Sequence, residues 1–168
     1  MIEAAHTTSI NASIDTVWDY VKHIEKWATL FPGCRECELI DRDDSRWTLK
    51  VGAGGMVKTV TVLVHIDNWA GPEAVDFSFR LANEPVTGSG SFRATPLGAN
   101  ATEICMGVQV SGSGAMAPMW EAMSKPLLPQ LAKTFASQLK AEIEQIPVAR
   151  PSLLAALAAW LRQLFGRR

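Results

Sequence analysis

The sequence is poor in cysteine and has no long apolar run, and each shortage argues against a class of protein. Its three cysteines, Cys34, Cys37 and Cys105, are an odd number, which disfavours a disulfide framework. No apolar run approaches the roughly 20 residues that a membrane-spanning helix requires. The first residues have neither a basic start nor an apolar core, so we expect no secretory signal and a cytoplasmic protein.

Motifs that carry metal, nucleotide or nucleophilic chemistry are also missing. The histidines show no metal-ligand spacing, and no Ser-His-Asp order, phosphate loop or dinucleotide fingerprint occurs. Cys34 and Cys37 have the spacing of a redox or zinc pair. However, they lead into a predicted strand and lack the second pair that zinc requires. We therefore predict no metal, no cofactor and no catalytic activity.

Acidic residues are absent from the last part of the chain. From Pro147 onward the sequence holds four arginines and no Asp or Glu, whereas residues 1–146 hold 12 Lys or Arg against 17 Asp or Glu. The acidic body argues against nucleic-acid binding. The change in composition predicts a folded domain, residues 1–146, followed by a linker and a separate terminal helix, residues 147–168.

Apolar periodicity predicts an α+β fold in which a sheet precedes one long helix. With 168 residues, 48% of them hydrophobic, a single domain with a sizeable core is expected. A weak first strand and two short helices come before six segments of alternating apolar residues, the first at residues 37–41. Short connections between these segments predict hairpins, and therefore a curved antiparallel sheet of about seven strands.

The longest amphipathic pattern predicts the helix around which this sheet wraps. Large apolar residues recur in steps of three or four, which places them on one helix face: Leu128, Leu131, Phe135, Leu139 and Ile143. Pro126 and Pro129 fit only a first helical turn, where the missing N–H has no helical partner. We therefore expect the prolines to separate a leading helical piece, residues 118–125, from the main helix.

Five short motifs accompany this order of elements. They are INASIDTVW at residues 10–18, the FPGC turn at 31–34, a Gly-rich turn at 52–55, Gly88-x-Gly90, and Val110-x-Gly112 before the last helix. Together they resemble the G-type accessory-protein family of carbon monoxide dehydrogenase, a branch of the START-like (SRPBCC) helix-grip superfamily. The resemblance covers roughly residues 1–146. It implies an apolar cavity between sheet and helix, and an accessory role to a molybdenum hydroxylase that includes the enzyme's attachment to the membrane.

Methionine and aromatic residues mark the place where a guest would enter such a cavity. Methionine adapts to irregular apolar shapes, although any of these residues would equally suit an ordinary core. Taken together, the cavity, the tail and the resemblance predict a quinone- or lipid-like ligand. The predicted ligand-binding residues are Trp27, Phe31, Val60, Val62, Phe77, Phe79, Phe92, Met106, Val108, Met116, Met119, Trp120, Met123, Leu127, Leu131 and Phe135.

The terminal segment carries the strongest local pattern. Its large apolar residues share one helix face: Leu153, Leu154, Leu157, Trp160, Leu161, Leu164 and Phe165. Arg162, Arg167 and Arg168 accompany that face without an offsetting acid. A helix of this length, about 20 Å, is too short to span a bilayer but suits binding flat at its surface. Docking on the chain's own domain or on a partner protein is the alternative.

The sequence thus predicts a non-catalytic accessory protein located peripherally at the inner face of the cell membrane. Its expected partners are a carbon monoxide dehydrogenase-like redox enzyme, the membrane surface and an apolar small molecule. Two alternatives stay open. One is a small-molecule cyclase or aromatase of the same fold, which would need polar groups converging in the cavity. The other is an adaptor with a filled interior whose tail docks on a partner.

Overall fold

The computed structural model describes residues 1–31, 33–53 and 56–145, and the order of elements there is the predicted one. The predicted linker and terminal helix lie outside the described residues. The elements are β1 (Ile2–Ile10), α1 (Ile14–Val21), α2 (Ile24–Leu30), β2 (Cys34–Leu39), β3 (Asp44–Ala53), β4 (Met56–Ala70), β5 (Ala74–Leu81), β6 (Val86–Gly98), β7 (Ala101–Gly112) and α3 (Ala117–Glu144). β2 begins three residues before the strand predicted at 37–41.

The strands form one antiparallel sheet in the order β1-β7-β6-β5-β4-β3-β2. Consecutive strands from β2 to β7 are neighbours, as hairpin connections require. β1 pairs with β7 along its whole length, from Ile2 opposite Val110 to Ile10 opposite Thr102. The first and last strands of the chain therefore lie side by side, and α3 packs mainly over this pair. The predicted α+β helix-grip fold is confirmed.

The two short helices pack against the sheet and against α3. Ser13 caps α1, because its Oγ accepts a hydrogen bond from the backbone N–H of Thr16 at 3.2 Å. Trp27 of α2 donates its indole N–H to the carbonyl of Val21 at 2.6 Å, which ties the two helices together. Both helices bury their apolar faces, and Val17, Val21 and Trp27 are almost fully enclosed.

α3 runs without interruption from Ala117 to Glu144, so the predicted break at the prolines is wrong. Each proline removes one backbone donor from the helix, a loss that local rules treat as terminating. Here Pro126 and Pro129 both lie on the exposed face, where water can hydrate the carbonyls left without a partner. Residues before and after the prolines share one buried stripe on the opposite face: Trp120, Ser124, Leu128, Ala132, Phe135, Ala136, Leu139 and Ile143. Burial on the sheet therefore stabilises the helix across both prolines.

Polar contacts fix the end of α3 against β1. Lys140 Nζ donates to the carbonyl of Ser9 at 2.6 Å, and Glu144 Oε1 accepts from the backbone N–H of Asn11 at 2.9 Å. The hydrogen bond from Asn11, followed by the one from Lys140, lowers the pKa of Glu144 below its usual value. No helix in the described part of the chain is both long and apolar enough to cross a membrane.

Candidate ligand-binding cavity

An apolar cavity of about 140 Å³ lies between the concave face of the sheet and α3. For comparison, an engineered apolar cavity of about 150 Å³ is large enough to bind benzene. Side chains from α2, from β3 to β7 and from α3 surround the space. The lining consists of Trp27, Phe31, Trp47, Leu49, Val51, Val60, Val62, Val64, Phe77, Phe79, Leu81, Val86, Met106, Gly107, Val108, Val110, Trp120, Met123, Ser124, Leu127, Leu128, Leu131, Ala132 and Phe135.

The structure brings most of the predicted ligand-binding residues together around this cavity. Those that line it are Trp27, Phe31, Val60, Val62, Phe77, Phe79, Met106, Val108, Trp120, Met123, Leu127, Leu131 and Phe135. Phe92, Met116 and Met119 do not. Phe92 is fully buried in the core between Val75 and Met106 of the neighbouring strands. Met116 precedes α3 and is 47% exposed, and Met119 packs at the edge of the core.

Several lining residues were absent from the prediction although their pattern was visible. Trp47, Leu49 and Val51 alternate along β3 and face the cavity. The β4 alternation that marked Val60 and Val62 continues to Val64. The others are Leu81, Val86, Gly107, Val110, Ser124, Leu128 and Ala132. The period-two rule would have identified the strand members, but only tertiary packing reveals which small or polar residues of α3 face the space.

Two glycines of β6 allow the phenylalanines of β5 to line the cavity. Phe77 lies opposite Gly90 in the sheet, and Phe79 lies opposite Gly88. A Cβ atom built at either glycine would overlap the facing phenyl ring. Because neither glycine has a side chain, each ring can lie across the neighbouring strand instead of standing away from it. The Gly88-x-Gly90 motif therefore shapes the concave wall.

An aromatic cluster forms one wall of the cavity. The ring of Trp27 lies 5.7 Å from that of Phe77 and 6.3 Å from that of Phe135, both edge-on. Phe31 lies 5.3 Å from Phe135 and 5.4 Å from Trp47. Ring pairs at these separations contribute about 0.5–1.5 kcal/mol each beyond their buried area. This wall is therefore rigid and apolar.

The few polar side chains of the lining lie on α3. Trp120 is 4% exposed, and its indole N–H has no hydrogen-bond partner in the described part of the chain. Ser124 follows one helical turn later on the same face and is 7% exposed. Lys58 Nζ lies 5.0 Å from the centroid of the Trp120 ring and is paired with Glu84. The cation on the ring face helps hold the indole in place.

Titratable side chains are absent from the described lining, which decides what the cavity can do chemically. General acid–base catalysis needs a side chain that transfers a proton within hydrogen-bond reach of the substrate. Burial raises the pKa of both Cys34 and Cys37, the opposite of the shift that a redox thiol needs. No cluster of metal-ligating side chains occurs among residues 1–31, 33–53 and 56–145. The cavity is suited to binding.

Strong polar interactions lie instead on the outer surface. His65 Nδ1 lies 2.8 Å from Asp44 Oδ1, and this hydrogen bond raises the pKa of the exposed imidazole. Backbone N–H groups of Asp43 and Asp44 lower the pKa of Asp41 in the neighbouring turn. As predicted, His65 is on the solvent side of β4, whereas Val64 lines the cavity. These groups are too far out to act on a guest inside.

Solved structures share this architecture. A conserved protein from Geobacillus kaustophilus superposes with a TM-score of 0.74 at 16% identity, covering 86% of this chain and 96% of its own. An aromatase/cyclase from a Streptomyces species gives 0.66 at 19% identity, with coverage of 88% and 96%. A START superfamily protein from Mycobacterium smegmatis gives 0.66 at 18% identity, with coverage of 86% and 98%. At these identities the likeness concerns the fold.

Sequence comparison supplies the family. A search of curated proteins finds no match. The profile of the family described as polyketide cyclase/dehydrase and lipid transport matches residues 1–145, which is the whole helix-grip domain. The START-like superfamily predicted from the motifs is thereby confirmed, whereas the carbon monoxide dehydrogenase branch of it stays a prediction. The chain belongs to the polyketide cyclase/dehydrase and lipid transport family.

Proposed function

We propose that the protein binds an apolar, quinone- or lipid-like molecule in the cavity between the sheet and α3, and carries it without altering it. One observation supports this most directly. The lining is apolar throughout except for the Ser124 hydroxyl and the indole N–H groups of its tryptophans. Ligand sites of this kind, concave and apolar with few polar groups, are typical of small-molecule binding. The family description also includes lipid transport.

A cyclase or aromatase function is the less favoured candidate. It draws on the similarity of fold to the Streptomyces aromatase/cyclase. Fold alone does not specify function, because unrelated activities occur on one scaffold. Ring closure with loss of water requires proton transfers, and the described lining offers no carboxylate, imidazole or amine for them. The carrier function needs none of these groups.

Native mass spectrometry tests the carrier proposal. We expect protein purified without detergent to retain an apolar molecule at a ratio of one per chain, and solvent extraction to release it. An apolar fluorescent probe should then bind the emptied protein and be displaced by the extract. Protein that carries no guest and binds no such probe would rule the proposal out.

The proposal has a second part, which rests on the sequence resemblance alone. We propose that the protein serves a carbon monoxide dehydrogenase-like molybdenum hydroxylase by attaching it to the membrane or by exchanging a ligand with the bilayer. The attachment would use the amphipathic face and arginines of residues 147–168. Each arginine near an anionic surface contributes about 1 kcal/mol, a contribution that salt weakens.

Truncation after Gln145 is expected to abolish sedimentation with anionic vesicles and to leave the domain folded. α3 ends at Glu144, so the cut removes no described helix or strand. The full chain should sediment with the vesicles, less so as salt rises. Circular dichroism of the truncated chain is the control. If the full chain ignores vesicles yet still captures its enzyme through Trp160 and Phe165, the segment docks on a protein and the membrane proposal is wrong.

A further inference from the structure

We infer that the guest carries a neutral carbonyl oxygen, and that Trp120 and Ser124 bind this oxygen inside the cavity. The inference rests on the proposed function, because it concerns the same cavity. It narrows the ligand class from apolar molecules in general to apolar ketones, quinones or esters. It also excludes pure hydrocarbons and free fatty acids as the preferred guests.

The first observation is the unpaired indole N–H of Trp120. This atom is buried, and no described residue accepts a hydrogen bond from it. Buried donors are almost always partnered, because leaving one unpaired forfeits the hydrogen bonds it made with water. Tryptophan N–H groups in particular usually find an acceptor when buried. The other tryptophans of the lining follow this rule, since Trp27 donates to Val21 and Trp47 donates to Ser45.

The second observation is the hydroxyl of Ser124. This residue is 7% exposed, lines the cavity, and makes no hydrogen bond to a described residue. A serine inside a helix commonly returns its hydroxyl to the carbonyl four residues earlier, which here would be that of Trp120. Because that bond is not made, the hydroxyl is available to a guest. Trp120 and Ser124 are four residues apart, so both lie on one face of α3.

The chemistry of these two groups defines the complementary group. An indole N–H can only donate, so its partner must be an acceptor, and a serine hydroxyl can donate to the same oxygen. A carboxylate would also accept, but it would bring a charge into a space whose described lining holds no cation. A neutral carbonyl satisfies both donors without that cost. A hydrocarbon leaves both unpaired.

Calorimetry with matched probes tests the inference on the full chain after solvent extraction. Menadione and methylnaphthalene share a ring skeleton and differ in the carbonyl oxygens, and methyl decanoate and decane form an equivalent ester pair. We expect the native protein to favour the carbonyl member of at least one pair by roughly tenfold or more, because two hydrogen bonds are gained. Which pair shows the preference distinguishes a quinone-type guest from an ester-type guest.

Two substitutions assign the preference to its residues. Trp120→Phe keeps an apolar ring and removes the N–H, and it should lower carbonyl-probe affinity roughly three- to tenfold while leaving the hydrocarbon's affinity unchanged. Ser124→Ala should act in the same direction. Trp47→Phe is the matched control, because its N–H is already bonded to Ser45 at 2.8 Å. This control should shift both affinities together and keep their ratio, and urea unfolding checks that each variant folds.

The outcomes separate this inference from the proposed function. Hydrocarbon and carbonyl probes that bind the native protein equally would overturn the inference while leaving the carrier function intact. The same holds if Trp120→Phe and Ser124→Ala both retain the full carbonyl preference. If no probe of either kind binds, the proposed function fails, and the inference fails with it.

Discussion

Leu139→Ala is expected to lower the free energy of unfolding by about 2–5 kcal/mol, the range for large-to-small substitutions in packed cores. Leu139 is 0% exposed and lies on the buried stripe of α3. It does not line the cavity, so alanine would leave a new void between the helix and the sheet. Urea titration followed by circular dichroism measures the loss.

Leu131→Ala is the matched comparison, because it removes the same atoms from the same helix. Leu131 is only half-buried and already borders the cavity, so fewer packing contacts are lost there. We expect its cost to be clearly smaller than that of Leu139→Ala. Equal losses would mean that the interior is closely packed around Leu131. A loss below about 0.5 kcal/mol at Leu139 would show that α3 is not docked as described.

The strands and the buried face of α3 were predictable because both follow from local periodicity. Alternation along β5 identifies Phe77 and Phe79 as sharing one face, and that face is the concave one. Steps of three and four along α3 identify Leu139 and Ile143 as buried, and both are. These patterns arise from the geometry of single elements, so no knowledge of the partner element is required.

The break predicted in α3 failed because the rule for proline is also local. Taken alone, Pro126 and Pro129 remove two donors and disfavour continuation of the helix. The rule does not consider that Trp120 and Leu128, on either side, are buried on the same stripe. Where tertiary burial acts on both sides of a proline, it overrides the local preference.

The position of the cavity is a different kind of information. Phe79 and Phe92 both belong to concave faces of their strands, yet Phe79 borders the empty space and Phe92 is enclosed in the core. The difference depends on how far α3 lies from each strand, which no sequence period encodes. Ser124 was missed for a similar reason. A polar residue is normally expected outside, and its phase with Trp120 gains meaning only once the helix is continuous through the prolines.

The enzyme partner, the membrane and the ligand's role at each lining residue stay predictions. Residues 147–168 lie outside the described residues, so the amphipathic face is known from its sequence alone. The carrier proposal does not depend on that segment. It depends on an interior that is empty and apolar, and that property can be changed by a single substitution at the centre of α3.

Ala132→Phe is expected to abolish binding of an apolar fluorescent probe while the domain stays folded. Ala132 is 6% exposed and lines the cavity, so a benzyl group there would enter the space of about 140 Å³ that a guest would use. Burial of one ring-sized apolar group contributes about 1.5–3 kcal/mol, so excluding it should weaken binding roughly ten- to 100-fold. Overpacking of a filled core costs about 1–3 kcal/mol, and room for the ring should keep the change in unfolding free energy below that range.

Ala122→Phe provides the matched control, because Ala122 lies on the exposed face of the same helix. The added ring there projects toward solvent and should leave the probe affinity unchanged. Fluorescence titration of both variants gives the affinities, and urea titration gives their stabilities. If Ala132→Phe binds the probe as tightly as Ala122→Phe does, the guest binds elsewhere. If Ala132→Phe loses several kcal/mol of stability, the interior has no room for a ring and the adaptor alternative gains support.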